Sequence, residues 1–192
     1  MGRSRLIKDK WQIVETAFNL IEAEGLDNLS ARKLAKNLGI STMTLYNYVP
    51  NMAAIEKEVV LMGFNKLYRR ILGEVEKRRG ELGENGIRSF CRISAWEKIE
   101  FAENYSEIYT LMFDPKRSGL KKDLELMPFY NYYNKISMVL NADDKRRESI
   151  SKSISLFDYI INGIIIERSK EREKTCKEET NKLIDYALEC LF

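Results

Sequence analysis

Arg32 and the run Ser41-Thr42-Met43-Thr44-Leu45-Tyr46-Asn47-Tyr48 bring a guanidinium, hydroxyls, a side-chain amide and two phenols into one short stretch. Such groups hydrogen-bond to base edges and phosphates. They are not groups that move protons at neutral pH, and the rest of the chain adds few that do. There is no histidine, which removes His-based catalytic triads and the commonest zinc ligand. No glycine-rich phosphate loop occurs. Cys91, Cys176 and Cys190 are odd in number, far apart and in no CxxC spacing, so they read as buried thiols rather than a disulfide framework or a metal site. No catalytic residue, metal or cofactor is expected.

The elements that must position the polar run are helical. A helix-turn-helix needs a small residue where its helices approach, a turn residue tolerant of positive φ, and apolar plugs beneath. Ala35 is the small residue, Gly39 the turn, and Leu34, Leu38, Ile40 and Leu45 the plugs. Ser30 and Ser41 are placed to cap the two helices. A helical hairpin with a solvated polar face would satisfy the same spacing. Ahead of the motif, Asp9 with Gln12 and then Gly25 bound a helix near 10–24. Behind it, apolar residues from Ile55 to Val75 recur at helical spacing to about Arg79, giving a helix roughly 40 Å long.

The wider pattern is Gly25-Leu26-Asp27-Asn28-Leu29-Ser30-Ala31-Arg32-Lys33-Leu34-Ala35, Leu38-Gly39-Ile40-Ser41 and Thr44-Leu45-Tyr46-Asn47-Tyr48-Val49. It resembles the N-terminal signature of the TetR family of bacterial regulators over about residues 9–60. The resemblance implies a homodimer reading two half-sites of a near-palindromic, double-stranded operator. It places DNA-binding roles on Arg32, Ser41, Thr42, Met43, Thr44, Tyr46, Asn47 and Tyr48. Of these, Thr42, Met43 and Thr44 would lie nearest the bases and Tyr46, Asn47 and Tyr48 nearest the backbone. Family members usually carry a lysine at the start of the following helix to grip a phosphate, and Met52 stands there instead. Backbone N–H groups at that helix start would be the weaker substitute.

The expected fold is all-α: a three-helix DNA-binding module over residues 1–50, and residues 51–192 forming the long connecting helix and a helical ligand-binding and dimerisation domain. Further helices are predicted over 87–103, from Asn104 to before Asp114-Pro115, from Pro128, from the Asn141–Asp144 cap to about Ser169, and from Thr175 to Leu191. Asn104-Tyr105-Ser106-Glu107 reads as a capping box. The family resemblance transfers no ligand, so the aromatic residues are the available signal. Phe90, Trp96, Phe101 and Tyr105 are candidates to line a pocket for an apolar or aromatic effector, as are Tyr109, Phe113, Tyr130 and Phe157. Phe90, Phe101, Tyr105 and Tyr109 share one side only if 87–112 is one helix, and Trp96 points away from them.

Ile154 to Ile166 is too apolar around its circumference for a helix with one wet face, so burial on two sides is expected, as in a four-helix dimer interface. Asp158 and Asn162 are open between pocket, dimer register and solvent. The net charge is +3, with Arg3, Arg5, Lys8 and Lys10 making a basic start that lacks the apolar stretch of a secretory signal. No run near 20 apolar residues is evident, so a cytoplasmic protein without membrane contact is expected. A repressor released by its effector is the expected function. A helical enzyme and a structural adaptor are the alternatives, which specific binding to operator DNA would separate.

Overall fold

A computed structural model describes residues 9–78, 86–114, 144–170 and 176–192. The described residues form α-helices, one short 3-10 turn and no strand. The helices are α1 (Lys10–Glu24), α2 (Ala31–Asn37), α3 (Thr42–Tyr46), α4 (Met52–Lys77), α5 (Gly86–Asn104), α6 (Ser106–Met112), α7 (Asp144–Lys170) and α8 (Lys177–Leu191). They fall into two compact units. Among the described residues the first unit holds 9–66 with 105–114, and the second holds 67–104 with 144–170 and 176–192. The division therefore cuts α4 after Lys66, and α6 belongs with the N-terminal helices.

In the first unit, local chemistry sets each helix boundary. The Asp9 carboxylate accepts the Gln12 N–H at 3.1 Å and starts α1, and Gly25, at φ 82°, ends it. Ile13, Val14, Ala17, Phe18 and Ile21 form the buried stripe of α1. The break between α5 and α6 falls at Tyr105, as the sequence suggests, but by another device than the expected capping box. No side chain at the N-cap closes α6. Instead Glu22, from α1, accepts the Ile108 N–H at 3.2 Å, so α6 is capped from a different helix. The rings of Phe18 and Tyr105 meet edge to face beside that cap, centroids 5.5 Å apart.

α6 also lies close to α4. A Cβ at Gly63 would stand 2.6 Å from Met112 Sδ and 3.1 Å from Ile108 Cγ2, so only glycine fits as the side chains stand.

In the second unit α5 packs against α7 and α8, which also pack on one another. Phe90, Phe101, Phe157, Ile161 and Ile184 are buried there. A charged side chain is buried with them. Lys98 is 3% exposed, and its Nζ donates to Asp158 Oδ1 at 2.8 Å. Arg168, also on α7, donates to Thr180 Oγ1 at 2.8 Å and pairs with Glu103. These links tie α7 to α5 and α8 through specific polar contacts.

One stretch of α7, Glu148–Ser169, is long and apolar enough to cross a membrane by length and composition only, and it is interrupted by charged side chains rather than being an unbroken apolar run. Its Asp158 and Arg168 are committed to partners in α5 and α8.

Candidate nucleic-acid interface

Ser30 and Ser41 cap their helices as the sequence predicts. Ser30 Oγ accepts the Lys33 N–H at 3.3 Å, and Ser41 Oγ accepts the Thr44 N–H at 3.0 Å. Between the two helices Gly39 adopts φ 67°, and the Ile40 N–H donates to the Ala35 carbonyl at 3.0 Å, closing the turn. Leu34, Ala35, Leu38, Leu45 and Val49 are buried beneath it. Burying each large aliphatic side chain contributes about 1.5–3 kcal/mol. That apolar foundation holds α3 in place although it has only five residues, too few for an isolated helix.

With the apolar side committed, the other side of α3 is free for contact. Ser41, Thr42, Met43, Tyr46 and Asn47 are exposed, Met43 by 79%. Thr44 and Tyr48 are half-buried, and Thr44 Oγ1 lies 2.9 Å from Ser41 Oγ within the cap. Arg32 and Lys36 are exposed on α2. Lys33, between them, pairs with Glu24. All eight sequence-predicted DNA-binding residues thus lie on α2, α3 or their immediate ends.

The start of α4 bears on the substitution at Met52. Asn51 Oδ1 accepts the Ala54 N–H at 2.8 Å, so one of the first-turn donors is satisfied internally. The N–H groups of Met52 and Ala53 stand at the positive end of a 26-residue helix, beside the end of α3. Lys10 pairs with Glu58 on α4 at 2.5 Å. Arg3, Arg5 and Lys8 lie outside the described residues.

The described aromatic candidates divide between the two units. Phe90, Phe101 and Phe157 are core residues of the second unit. Tyr105, Tyr109 and Phe113 belong to the first, where Phe113 meets Phe64 at 5.6 Å and Tyr109 at 4.6 Å. Tyr130 lies outside the described residues. Trp96 lines a cavity of about 320 Å³ in the second unit, bounded by the end of α4, by α5 and by the start of α8. The thiol expectation also needs correction. Cys91 is buried, which pushes its thiol up to about 12, whereas Cys176 and Cys190 are exposed.

Sequence reasoning missed Lys98 and Glu22. Lys98 shares its helical stripe with Cys91, Ala95, Phe101 and Ala102, which is the available signal that it turns inward. Nothing in sequence spacing joins Glu22 to Ile108.

The sequence pattern described as bacterial regulatory proteins, tetR family, matches residues 13–59. Over 114 residues the chain is 29% identical to the uncharacterized HTH-type transcriptional regulator YobS of Bacillus subtilis (strain 168), covering 58% of this chain and 56% of YobS. Over 91 residues it is 33% identical to the HTH-type transcriptional repressor DrrR1 of Streptomyces coeruleorubidus, covering 46% of this chain and 29% of DrrR1. The matched regions thus span about half or less of these relatives' lengths. TetR of Acinetobacter baumannii AYE has the same fold. A variant in complex with minocycline aligns with TM-score 0.60 at 16% identity, over 96% of this chain and 93% of that one. A second structure of the same TetR aligns with TM-score 0.56 at 17% identity, over 96% and 95%.

Proposed function

We propose that the chain, whose residues 13–59 match the pattern described as bacterial regulatory proteins, tetR family, is a transcriptional repressor that binds operator DNA as a homodimer and is released by a small molecule. The observation that carries this reading is α3. It is a buried-side-down recognition helix in the family-matched segment, with Thr42, Met43, Tyr46 and Asn47 presented outward. Arg32 and Lys36 supply flanking cations from α2, and the α4 start supplies backbone donors for a phosphate.

Dimerisation is supported by the outer side of α7 and α8. Leu156, Tyr159 and Ile166 are 50%, 73% and 54% exposed, and Leu183 and Tyr186 are 49% and 69% exposed. The two-sided apolar character of α7 is thus only half used within the chain, and a symmetric copy would cover the remainder. The expected boundary after residue 50 remains the proposed limit of the DNA-reading part, with α6 added to its support. Effector control would act through α4, the helix that both units share.

A gel shift with the DNA flanking the protein's own gene tests the proposal. Specific binding is expected, and Arg32→Ala should weaken it by about 1–3 kcal/mol with helical content unchanged. Equal affinity for flanking and unrelated DNA would overturn the reading. Titration of an effector with and without operator should give reciprocal weakening.

A further inference from the structure

We propose that the cavity of about 320 Å³ between the end of α4, α5 and the start of α8 binds a small zwitterion carrying a flat ring. The volume is at the lower end of the range for small-molecule sites, so the occupant is of amino-acid size. Its walls hold both signs of charge: the carboxylates of Glu74, Glu97 and Glu100, and the cations of Arg78, Arg92 and Lys177.

Several of these charges are held in position by residues that do not line the cavity. Arg70 donates from Nε to Glu97 Oε2 at 2.8 Å and from Nη2 to Glu100 Oε2 at 2.9 Å, which sets two carboxylates side by side and leaves each Oε1 for a further donor. Arg92 is anchored through Nη1 to Asp185 on α8. Glu74 pairs with Arg78 on the α4 side of the cavity, 3.6 Å apart, whereas Glu97, Glu100 and Arg92 are preorganised by partners outside the lining. A ligand of one sign would meet like charge on one side of the cavity, whereas a zwitterion satisfies both.

The ring requirement comes from Trp96. Its Nε1 donates to Asn181 Oδ1 at 3.1 Å, which fixes the indole plane, and Ile93 adds an apolar wall. Lys177 Nζ lies 5.9 Å from the ring centroid, on a long side chain that can yield to a stacked ring. The site lies within residues 51–192, the region expected to bind the effector, so only the step from binding to regulation rests on the proposed function.

The chain has two tryptophans, so Trp11→Phe in the full-length protein leaves Trp96 as the reporter. L-Phenylalanine, phenethylamine and phenylacetate, which do not absorb at the red edge of the indole band, are titrated as zwitterion, cation and anion. L-Phenylalanine should change Trp96 emission saturably, with affinity at least about tenfold above either singly charged probe. Arg92→Ala and Glu97→Gln, each checked for unchanged helical content, should each weaken it by about tenfold. Calorimetry of the unmodified protein gives the same ranking without any substitution. No saturable response to L-phenylalanine up to about 10 mM, equal affinity for all three probes, or indifference to both substitutions would overturn the proposal. A gel shift with L-phenylalanine separates the two readings: binding at Trp96 without a change in operator affinity supports the site and counts against its regulatory role.

Discussion

The ammonium of Lys98 on α5 lies 2.8 Å from the Asp158 carboxylate on α7, yet the two side chains are unequally buried, 4% and 33% exposed. Desolvation therefore falls mainly on the lysine. Asp158→Asn keeps the shape but withdraws the countercharge from a buried ammonium, at a cost of about 3 kcal/mol. Lys98→Met leaves a carboxylate that water can reach, and should cost less. Urea unfolding of both variants measures the asymmetry; an equal loss in the two would show that the pair is not burdened by lysine desolvation.

The Glu22 carboxylate caps α6 at a cost that depends on pH. Burial raises its pKa above the ordinary 4.5, opposed by backbone N–H groups of α6. A raised folded value means that this contribution to stability is complete below about pH 4.5 and is lost as pH rises through the folded value. Glu22→Gln remains an acceptor without the titration, so it should flatten this part of the urea midpoint profile between about pH 4 and 7. Glu22→Ala removes the acceptor and should lower stability by about 1 kcal/mol at every pH. Identical slopes in wild type and Glu22→Gln would remove Glu22 from the account.

Gly63 and Met112 form a tight passage between α4 and α6. Gly63→Ala places a methyl against a flexible thioether, so the loss should stay within about 1–3 kcal/mol. Gly63→Val adds branches that Met112 cannot avoid, and should cost more. Met112→Ala should recover part of the loss in the Gly63→Ala protein; thermal unfolding of the double variant showing simple additivity would mean that the two residues do not collide.

The outer and inner sides of α7 should respond differently to charge. Ile161 is fully buried within the protomer, so Ile161→Lys should unfold it, whereas Tyr159→Glu changes a residue that is 73% exposed. Tyr159→Glu is expected to yield a folded monomer. Sedimentation and circular dichroism distinguish the outcomes, and an unchanged dimer after Tyr159→Glu would exclude this side of α7 as the interface.

Much of the helix-turn-helix segment was legible in the residues alone because its determinants are local. Asp9, Ser30 and Ser41 cap the helices that directly follow them, Gly39 takes the positive φ of the turn, Leu34 and Leu38 stand four apart beneath it, and Leu45 is buried on the following helix. Tertiary structure alone decided where the chain's other polar and aromatic groups lie. The Asn104 capping pattern marks a break in the sequence, but only packing shows α6 capped by Glu22 and seated against Gly63. The sequence shows a lysine on a mostly apolar helical stripe, but not the aspartate 60 residues away that makes its burial tolerable. The physical reason is the range of the forces: caps and turns act within a few residues, whereas burial and ion pairing depend on which distant helix faces meet.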